Sequence, residues 1–329
     1  EVRKMLKNKN INFIKISKYA MIVYGAIIVI GIVMLCIFGL QLDINFSGGT
    51  RFTYTYKGDI NIDEAQTIIE SQLSGKTVDV TTSEGLNSET KKLVVNLASE
   101  EAVDVEVQSN ILSSLQEKFK DNDIELGDSN SVNPTIAGAF LAKSLFAIAI
   151  ASVLMLIYVG LRFRKIGGIS AGITALVALV LDSLMAFFTC VIFRLDIDTN
   201  FIAVILTLLG YALNDTIVIY DRIRENNRLM PDADIKEKVN TSINQCLGRS
   251  IMTSLSTFIA IMAVVVVSEF FGLSTLRSFA IPMAVGIVSG CCTTLFIAVP
   301  LWYFWKSKPK KDKNAKNKSK SNRAKTAKA

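Results

Sequence analysis

Six long apolar runs, separated by polar intervals of very unequal length, dominate this sequence. Each approaches about 20 residues, the length of helix that crosses a bilayer core. The pattern predicts membrane helices at 19–40, 137–160, 167–192, 200–220, 246–268 and 277–304. The chain is therefore read as a polytopic α-helical membrane protein. The long polar interval, 41–136, has other periods. Strands are predicted near Arg51–Tyr56, Thr77–Thr82, Lys92–Leu97 and Asp123–Leu126, from alternation and β-branched content. Between them, Ala65, Ile68, Ile69 and Leu73, and then Val107, Ile111, Leu115 and Phe119, recur at helical spacing. The order strand, helix, strand, strand, helix, strand predicts a small α+β domain of the ferredoxin-like kind. So short a segment builds a modest core, and docking against the membrane domain or a partner is expected.

Charge then orients the spans. Basic residues cluster before the first run (Arg3, Lys4, Lys7, Lys9, Lys15, Lys18) and between the second and third (Arg162, Arg164, Lys165). They cluster again between the fourth and fifth (Arg222, Arg224, Arg228, Lys236, Lys238), and eleven follow Trp305. With six spans all four segments fall on one side, which predicts a cytoplasmic N-terminal segment (1–18) and a cytoplasmic tail (306–329). The 41–136 interval lies on the other side and is acidic, with seventeen Asp or Glu against seven Lys or Arg from Asp43 to Asp128. The first run is longer than a signal-peptide core and lacks a small-residue cleavage pattern, so it reads as a retained anchor. The Lys-rich tail cannot build a core and is expected to be disordered. It serves as an orientation signal, as a contact for anionic lipids of the inner leaflet, or as a contact for nearby ribosomal RNA; no specific nucleic acid is expected.

The chain contains no histidine. That removes Ser-His-Asp triads, Cys-His dyads and His-ligated zinc. No Gly-rich phosphate loop is present, and the five cysteines (Cys36, Cys190, Cys246, Cys291, Cys292) lie in or beside apolar runs, where small apolar packing suits them. Neither an enzyme, a metal nor a cofactor is expected.

The candidate chemistry is ionic. Asp182, Asp215 and Arg249 fall within apolar runs, where a carboxylate is costly unless protonated, paired or hydrated. Asp215 lies about 8 Å from the inner end of its helix, and Arg249 a similar distance into the next, antiparallel one. The two can share a depth. If they pair, protonation of Asp215 would release Arg249 and let one helix move against another. The alternatives are a static Asp215 bonded to Asn214, a hydroxyl or Arg249, and an Arg249 that reaches to the interface. Asp182 either titrates or only accepts hydrogen bonds. Asp221, Arg222, Arg224 and Glu225, where the fourth helix leaves the membrane, form either the cytoplasmic mouth of an ion path or a solvated helix end with local ion pairs. Gly168-x-x-x-Gly172 and Gly286-x-x-x-Gly290 predict close helix packing.

Three stretches resemble one family. The run Gly39-Leu40-Gln41-Leu42-Asp43-Ile44-Asn45-Phe46-Ser47-Gly48-Gly49-Thr50 resembles the segment after the first helix of the SecF family. Gly210 through Asp215-Thr216 to Asp221-Arg222-Ile223-Arg224-Glu225-Asn226 resembles its fourth-helix signature, and Ile243 through Arg249 to Ser254 the start of its fifth. The resemblance covers about 1–305. It singles out Asp43, Phe46, Gly48, Gly49 and Thr50 as motif residues and implies that Asp215 and Arg249, with Asn214 and Asp182 beside them, belong to a proton path. Where the family often reads His-Asp, this chain reads Leu181-Asp182, so any titrating role of that His is lost. It further implies an RND-superfamily half-transporter bundle in the bacterial cell membrane, working with SecD. Such a complex would use the proton gradient to assist late passage of unfolded preproteins through SecYEG, beside a YidC-like insertase. The chain shows one helix bundle, one external domain and no internal duplication, whereas RND-type transporters use two such halves. Two other readings stay open: a stand-alone RND-type exporter of small molecules or lipids, and a non-coupled scaffold of the translocon.

Overall fold

The computed structural model describes residues 11–73, 78–83, 90–97 and 103–307. The basic tail beyond 307 and the first basic residues lie outside the described part, and with them the proposed lipid contact. Six helical spans are long and apolar enough to cross a membrane: α1 (Phe13–Phe38), α5 (Pro134–Arg162), α6 (Gly168–Phe193), α7 (Thr199–Leu229), α8 (Ile235–Phe271) and a composite last span. The last span joins α9 (Ser274–Thr293), a π-helical turn (Thr294–Ala298) and α10 (Val299–Ser307). Pro300 has no N–H to bond the carbonyl of Phe296, and its ring would clash with that carbonyl in a regular helix. A π turn is one way to relieve both.

The helices extend beyond the predicted spans where tertiary packing, not bilayer thickness, sets their ends. α1 starts at Phe13, not at 19, because Phe13 and Ile14 are buried and their segment is tied to α8. The N–H of Ile11 donates to Asn244 Oδ1 (3.1 Å) and that of Phe13 to Asn240 Oδ1 (2.8 Å). α7 continues to Leu229 and α8 begins at Ile235, because Ile223 and Asn226 pack on Val239, Ser242 and Ile243. Asn226 Nδ2 donates to Ser242 Oγ (2.8 Å) and Gln245 Oε1 (2.9 Å).

Between α1 and α5 lies an α+β domain that stands outside the helix bundle, called the external domain for that position. A four-residue helix α2 (Ile44–Ser47) leads into β1 (Gly49–Lys57), α3 (Ile62–Gln72), β2 (Val78–Ser83), β3 (Thr90–Leu97), α4 (Val105–Lys118) and β4 (Glu125–Val132). The sheet order is β2-β3-β1-β4 with every pair antiparallel, the split βαβ arrangement expected of the element order. Phe52, Tyr54 and Tyr56 of β1 alternate onto Ala65, Ile69, Ile111 and Leu115 of the two helices. β4 is longer than the predicted 123–126 and runs to Val132. Its residues are exposed and polar, so no hydrophobic pattern marks it; backbone pairing with β1 holds it.

Within the bundle, α6, α7 and the last span form the interior, and α1, α5 and α8 wrap it with apolar sides exposed. Gly168 lies against Gly160 and Gly172 against Leu156, so α5 and α6 meet at the predicted glycines. Gly286 accommodates Leu208 of α7, and Gly290 faces Asp182 and Ala212.

Candidate functional site

Two apolar clusters divide the bundle by depth. One, toward the external domain, contains Phe46, Ala186, Phe201, Val204, Leu208 and Met283. The other, toward the opposite face, contains Phe163, Ile219, Tyr220, Ile223, Leu295 and Trp302. Along α6, α7 and the last span, the residues between these clusters are polar: Asp182, Asp215, Thr216, Ser289, Thr293 and Thr294, all buried. A polar layer between apolar ones survives only where its groups find partners or a task.

Asp182 has partners. It is fully buried, and its Oδ1 accepts from Ser289 Oγ at 2.7 Å and from Thr293 Oγ1 at 2.8 Å. Thr293 Oγ1 also reaches Oδ2 at 3.0 Å. Ser289 and Thr293 are four residues apart, so α9 presents both hydroxyls on one face. Tyr24 of α1 closes the group, with its hydroxyl donating to the Ser289 carbonyl at 3.3 Å.

Asp215 is different. It is 5% exposed, yet its Oδ2 has no hydrogen-bond partner. The hydroxyls of Ser250 and Ser254 on α8, and of Tyr211 one turn from Asp215 on α7, are likewise buried and unpaired. Ser250 stands beside Asp215, and Ser254 and Thr257 beside Tyr211, without a well-formed hydrogen bond at these buried oxygens. Asp215 thus heads a ladder of unpaired oxygens that climbs toward the external domain. In the other direction Tyr220 meets Phe163 edge-on and Trp302 at a tilt, with ring centroids 5.5 and 6.0 Å apart. The Tyr220 hydroxyl is satisfied by Thr174 Oγ1 at 2.8 Å. Apolar and aromatic side chains therefore separate Asp215 from the far face. Thr216 Oγ1, beside Asp215, lies 3.4 Å from Thr294 Oγ1, so the junction of α9 and the π turn, Thr293 and Thr294, touches both carboxylate neighbourhoods.

The structure corrects the pairing expected from depth. Asp215 and Arg249 do not form an ion pair; Arg249 is exposed on α8 and acts on Asp215 only through space. Ser250, one residue on, occupies the buried stripe with Cys246, Leu247 and Ser254, and a step of about 100° carries Arg249 off it. Asn214 is also exposed, one position off the buried face that carries Asp215. Both face whatever surrounds the bundle.

Beyond the aromatic layer, Asp221 bonds Arg162 of α5 (2.9 Å) and Arg224 (3.1 Å). Arg222 pairs with Glu225 and donates through Nε to Gln245 Oε1 at 2.6 Å. These are the local ion pairs of a helix end, extended to both neighbouring helices.

The motif after the first helix forms a joint. Asp43 caps α2 through Asn45 N–H (2.9 Å). Phe46 is buried against Phe140, centroids 5.6 Å apart. Gly48 has φ +75°, and a Cβ there would lie 2.6 Å from Pro134 Cα at the start of α5; with Gly49 (φ +122°) it turns the chain from α2 into β1. Thr50 is buried, its hydroxyl 3.1 Å from Ser131 Oγ. The segment before α2 also pairs with the α6–α7 loop: Ile197 N–H donates to Gln41 O (2.9 Å) and Asp43 N–H to Ile197 O (3.2 Å). Sequence reasoning overlooked the centre of this joint. Arg51 of β1 bonds Asp43 (2.6 Å) and Asp196 (2.7 Å), and its Nε donates to Asn96 Oδ1 of β3 (2.7 Å). Burial pushes the Asp196 carboxyl above the ordinary carboxylate range despite Arg51, with Asp43 adding to the push. The available signal was Arg51 directly after the motif and the acidic pair Asp196 and Asp198 in so short a loop. Among the described residues no cluster of His, Cys, Asp or Glu suits a metal ion.

Residues 111–308 match the family model of the protein export membrane protein SecD/SecF, C-terminal. A protein translocase subunit SecF from Sebaldella termitidis is 34% identical over 285 residues, covering 84% of this chain and 87% of that one. A protein translocase subunit SecDF from Bacillus subtilis is 32% identical over 309 residues, covering 92% of this chain but 39% of its own length. Among solved structures, SecDF from Thermus thermophilus, titled a translocon-associated membrane protein, superposes with a TM-score of 0.78 at 26% identity. That match covers 92% of this chain and 39% of that one. The chain thus spans about two fifths of the SecDF relatives and most of the SecF relatives.

Proposed function

The chain belongs to the SecD/SecF protein-export family, on its SecF side, and from that premise we propose that it is a multi-pass translocase subunit of the bacterial cell membrane that couples proton entry to export. The observation that carries the coupling is the unpaired, buried Asp215 at the head of a ladder of unpaired oxygens, closed on the far side by an aromatic layer. A group that must exchange protons cannot be locked in hydrogen bonds, and Asp215 is not. Asp182, held by two hydroxyls, acts as the fixed counterpart that ties α6 to the last span.

The chain works with a SecD-type partner, as the SecDF relatives suggest, and with the SecYEG channel and a YidC-like insertase. Unfolded preprotein on the outer face is its substrate. Arg249 and Asn214, exposed on the isolated bundle, face that partner. The basic segments on the side opposite the external domain support cytoplasmic termini. At about 2.3 kcal/mol per charge per 100 mV, proton entry supplies enough energy to bias external-domain positions a few kcal/mol apart.

The test is export into vesicles with and without a proton gradient, at matched membrane levels and with partner co-purification checked. Asp215→Asn is expected to remove the gradient-dependent part and leave the rest. Export by Asp215→Asn that still responds fully to the gradient would favour the scaffold reading.

A further inference from the structure

The guanidinium of Arg51 gathers three parts of the molecule at one point. Its own strand, β1, is central in the external sheet, and its Nε is fixed by Asn96 on the neighbouring β3, so the group moves with the whole domain. One arm reaches Asp43, which ends the segment leaving α1. The other reaches Asp196, in the loop between Phe193 and Thr199. That loop joins α6, which carries Asp182, to α7, which carries Asp215.

From this geometry we infer that Arg51 is the coupling residue of the protein, the positioning group through which displacement of α6 against α7 reaches the external domain. The inference rests on the proton-coupled reading above. A loop this short copies any relative shift of its two helices. Asp196 is its only residue bonded through its side chain to the external sheet among the described contacts. Arg194 places its guanidinium and carbonyl against the Gln41 amide. Asp198 caps α7 and bonds Ser278 of α9 at 3.1 Å. Backbone pairing between 41–43 and 197 ties the same loop to the segment that runs from α1 into α2. The joint is also poised. Asp43 is buried, so the guanidinium is shared by two carboxylates, and loss of either bond leaves the other in place. Such an arrangement holds the domain while allowing one arm to release.

The experiment uses the full chain with its SecD-type partner in proteoliposomes, with native cysteines replaced and spin labels at Ser113→Cys on the external domain and Ser274→Cys at the start of α9. Without the Arg51 change, the label distance is expected to shift when a proton gradient is imposed, and export to rise with it. In Arg51→Gln the partner should co-purify at the same level and gradient-independent export should persist. The distance shift and at least fivefold of the gradient-dependent gain should be lost. Asp196→Asn, which spares the Asp43 bond, should lose the shift as well and covers the case in which Arg51→Gln fails to assemble. Retention of both the shift and the gain in Asp196→Asn or in an assembled Arg51→Gln overturns the inference while leaving proton coupling intact. Absence of any gradient response in the parent protein overturns both.

Discussion

Thr293 Oγ1 lies within hydrogen-bond distance of both carboxylate oxygens of Asp182, 2.8 Å from one and 3.0 Å from the other, from the last residue before the π turn. The hydroxyl therefore holds the carboxylate of α6 to the point where the last span changes its helical pitch.

Thr293→Val keeps the shape of that contact and removes the bond, leaving Ser289 as the remaining hydroxyl on Asp182. Losing a partner of a buried polar group costs about 1–3 kcal/mol. The variant is expected to unfold at lower temperature in detergent micelles, and Asp182→Asn, which can still bond, to lose less. Equal melting of Thr293→Val and the parent would contradict this.

The ladder above Asp215 should behave in the opposite way. Ser254 Oγ is buried without a partner, so Ser254→Ala removes an unsatisfied group instead of creating one. The expected outcome is unchanged or raised thermal stability together with a weaker gradient-dependent export rate. A clear drop in melting temperature would show that this hydroxyl is structurally bonded.

Helix contacts at glycine are separable in the same assay. A Cβ on Gly168 would overlap the carbonyl oxygen of Gly160, a backbone atom that cannot rotate away. Gly168→Ala is expected to cost about 1–3 kcal/mol, as overpacking does. At Gly138, where nothing lies within 4 Å of an added Cβ, alanine should be neutral or stabilising by up to about 1 kcal/mol. Similar effects at the two sites would refute the packing assignment.

Asp196 makes a prediction with a sign. Burial raises its carboxyl above the ordinary range, so the folded joint binds this proton more tightly than an extended chain. Its contribution to stability grows as pH falls from above the raised value to the ordinary value of about 3.9, and is constant below that. The groups that face it are Arg51, Asp43 and Asp198. Asp59 runs the other way: Lys91 holds its carboxyl below the ordinary range, and its support is lost as pH falls through that lowered value. Chemical denaturation across acid pH should show Asp196→Asn flattening the rise. A pH profile identical to the parent's would remove Asp196 from the titrating set.

The spans and the order of the external domain were legible because bilayer thickness and side-chain alternation write themselves into hydrophobicity. β4 was half hidden, since Asp128, Ser129, Asn130 and Ser131 are polar and exposed and their strand is held chiefly by backbone pairing with β1. Helix rotation was not legible in the membrane. The polar residues of α8 are spread over all its sides, so nothing in its pattern separates Ser250, which faces Asp215, from Arg249, which does not. Depth follows from counting residues, whereas the direction a side chain faces depends on partners elsewhere in the chain. Arg51 escaped notice for the same reason: its two carboxylates lie 8 residues behind it and 145 ahead.

The aromatic layer of Phe163, Tyr220 and Trp302 is also an electrical element. A membrane voltage falls most steeply across the least polarisable material in its way. From Asp215 to Asp221 is six residues of α7, about 9 Å of helix, against about 30 Å for the bilayer core. Under the proposed proton coupling, with protons entering along the hydroxyl ladder, this layer and the apolar cluster around Leu208 share the fall in potential on either side of Asp215. On that reading the layer acts as a thin dielectric, and a proton bound beside it responds to the membrane voltage over a shorter distance than the whole bilayer.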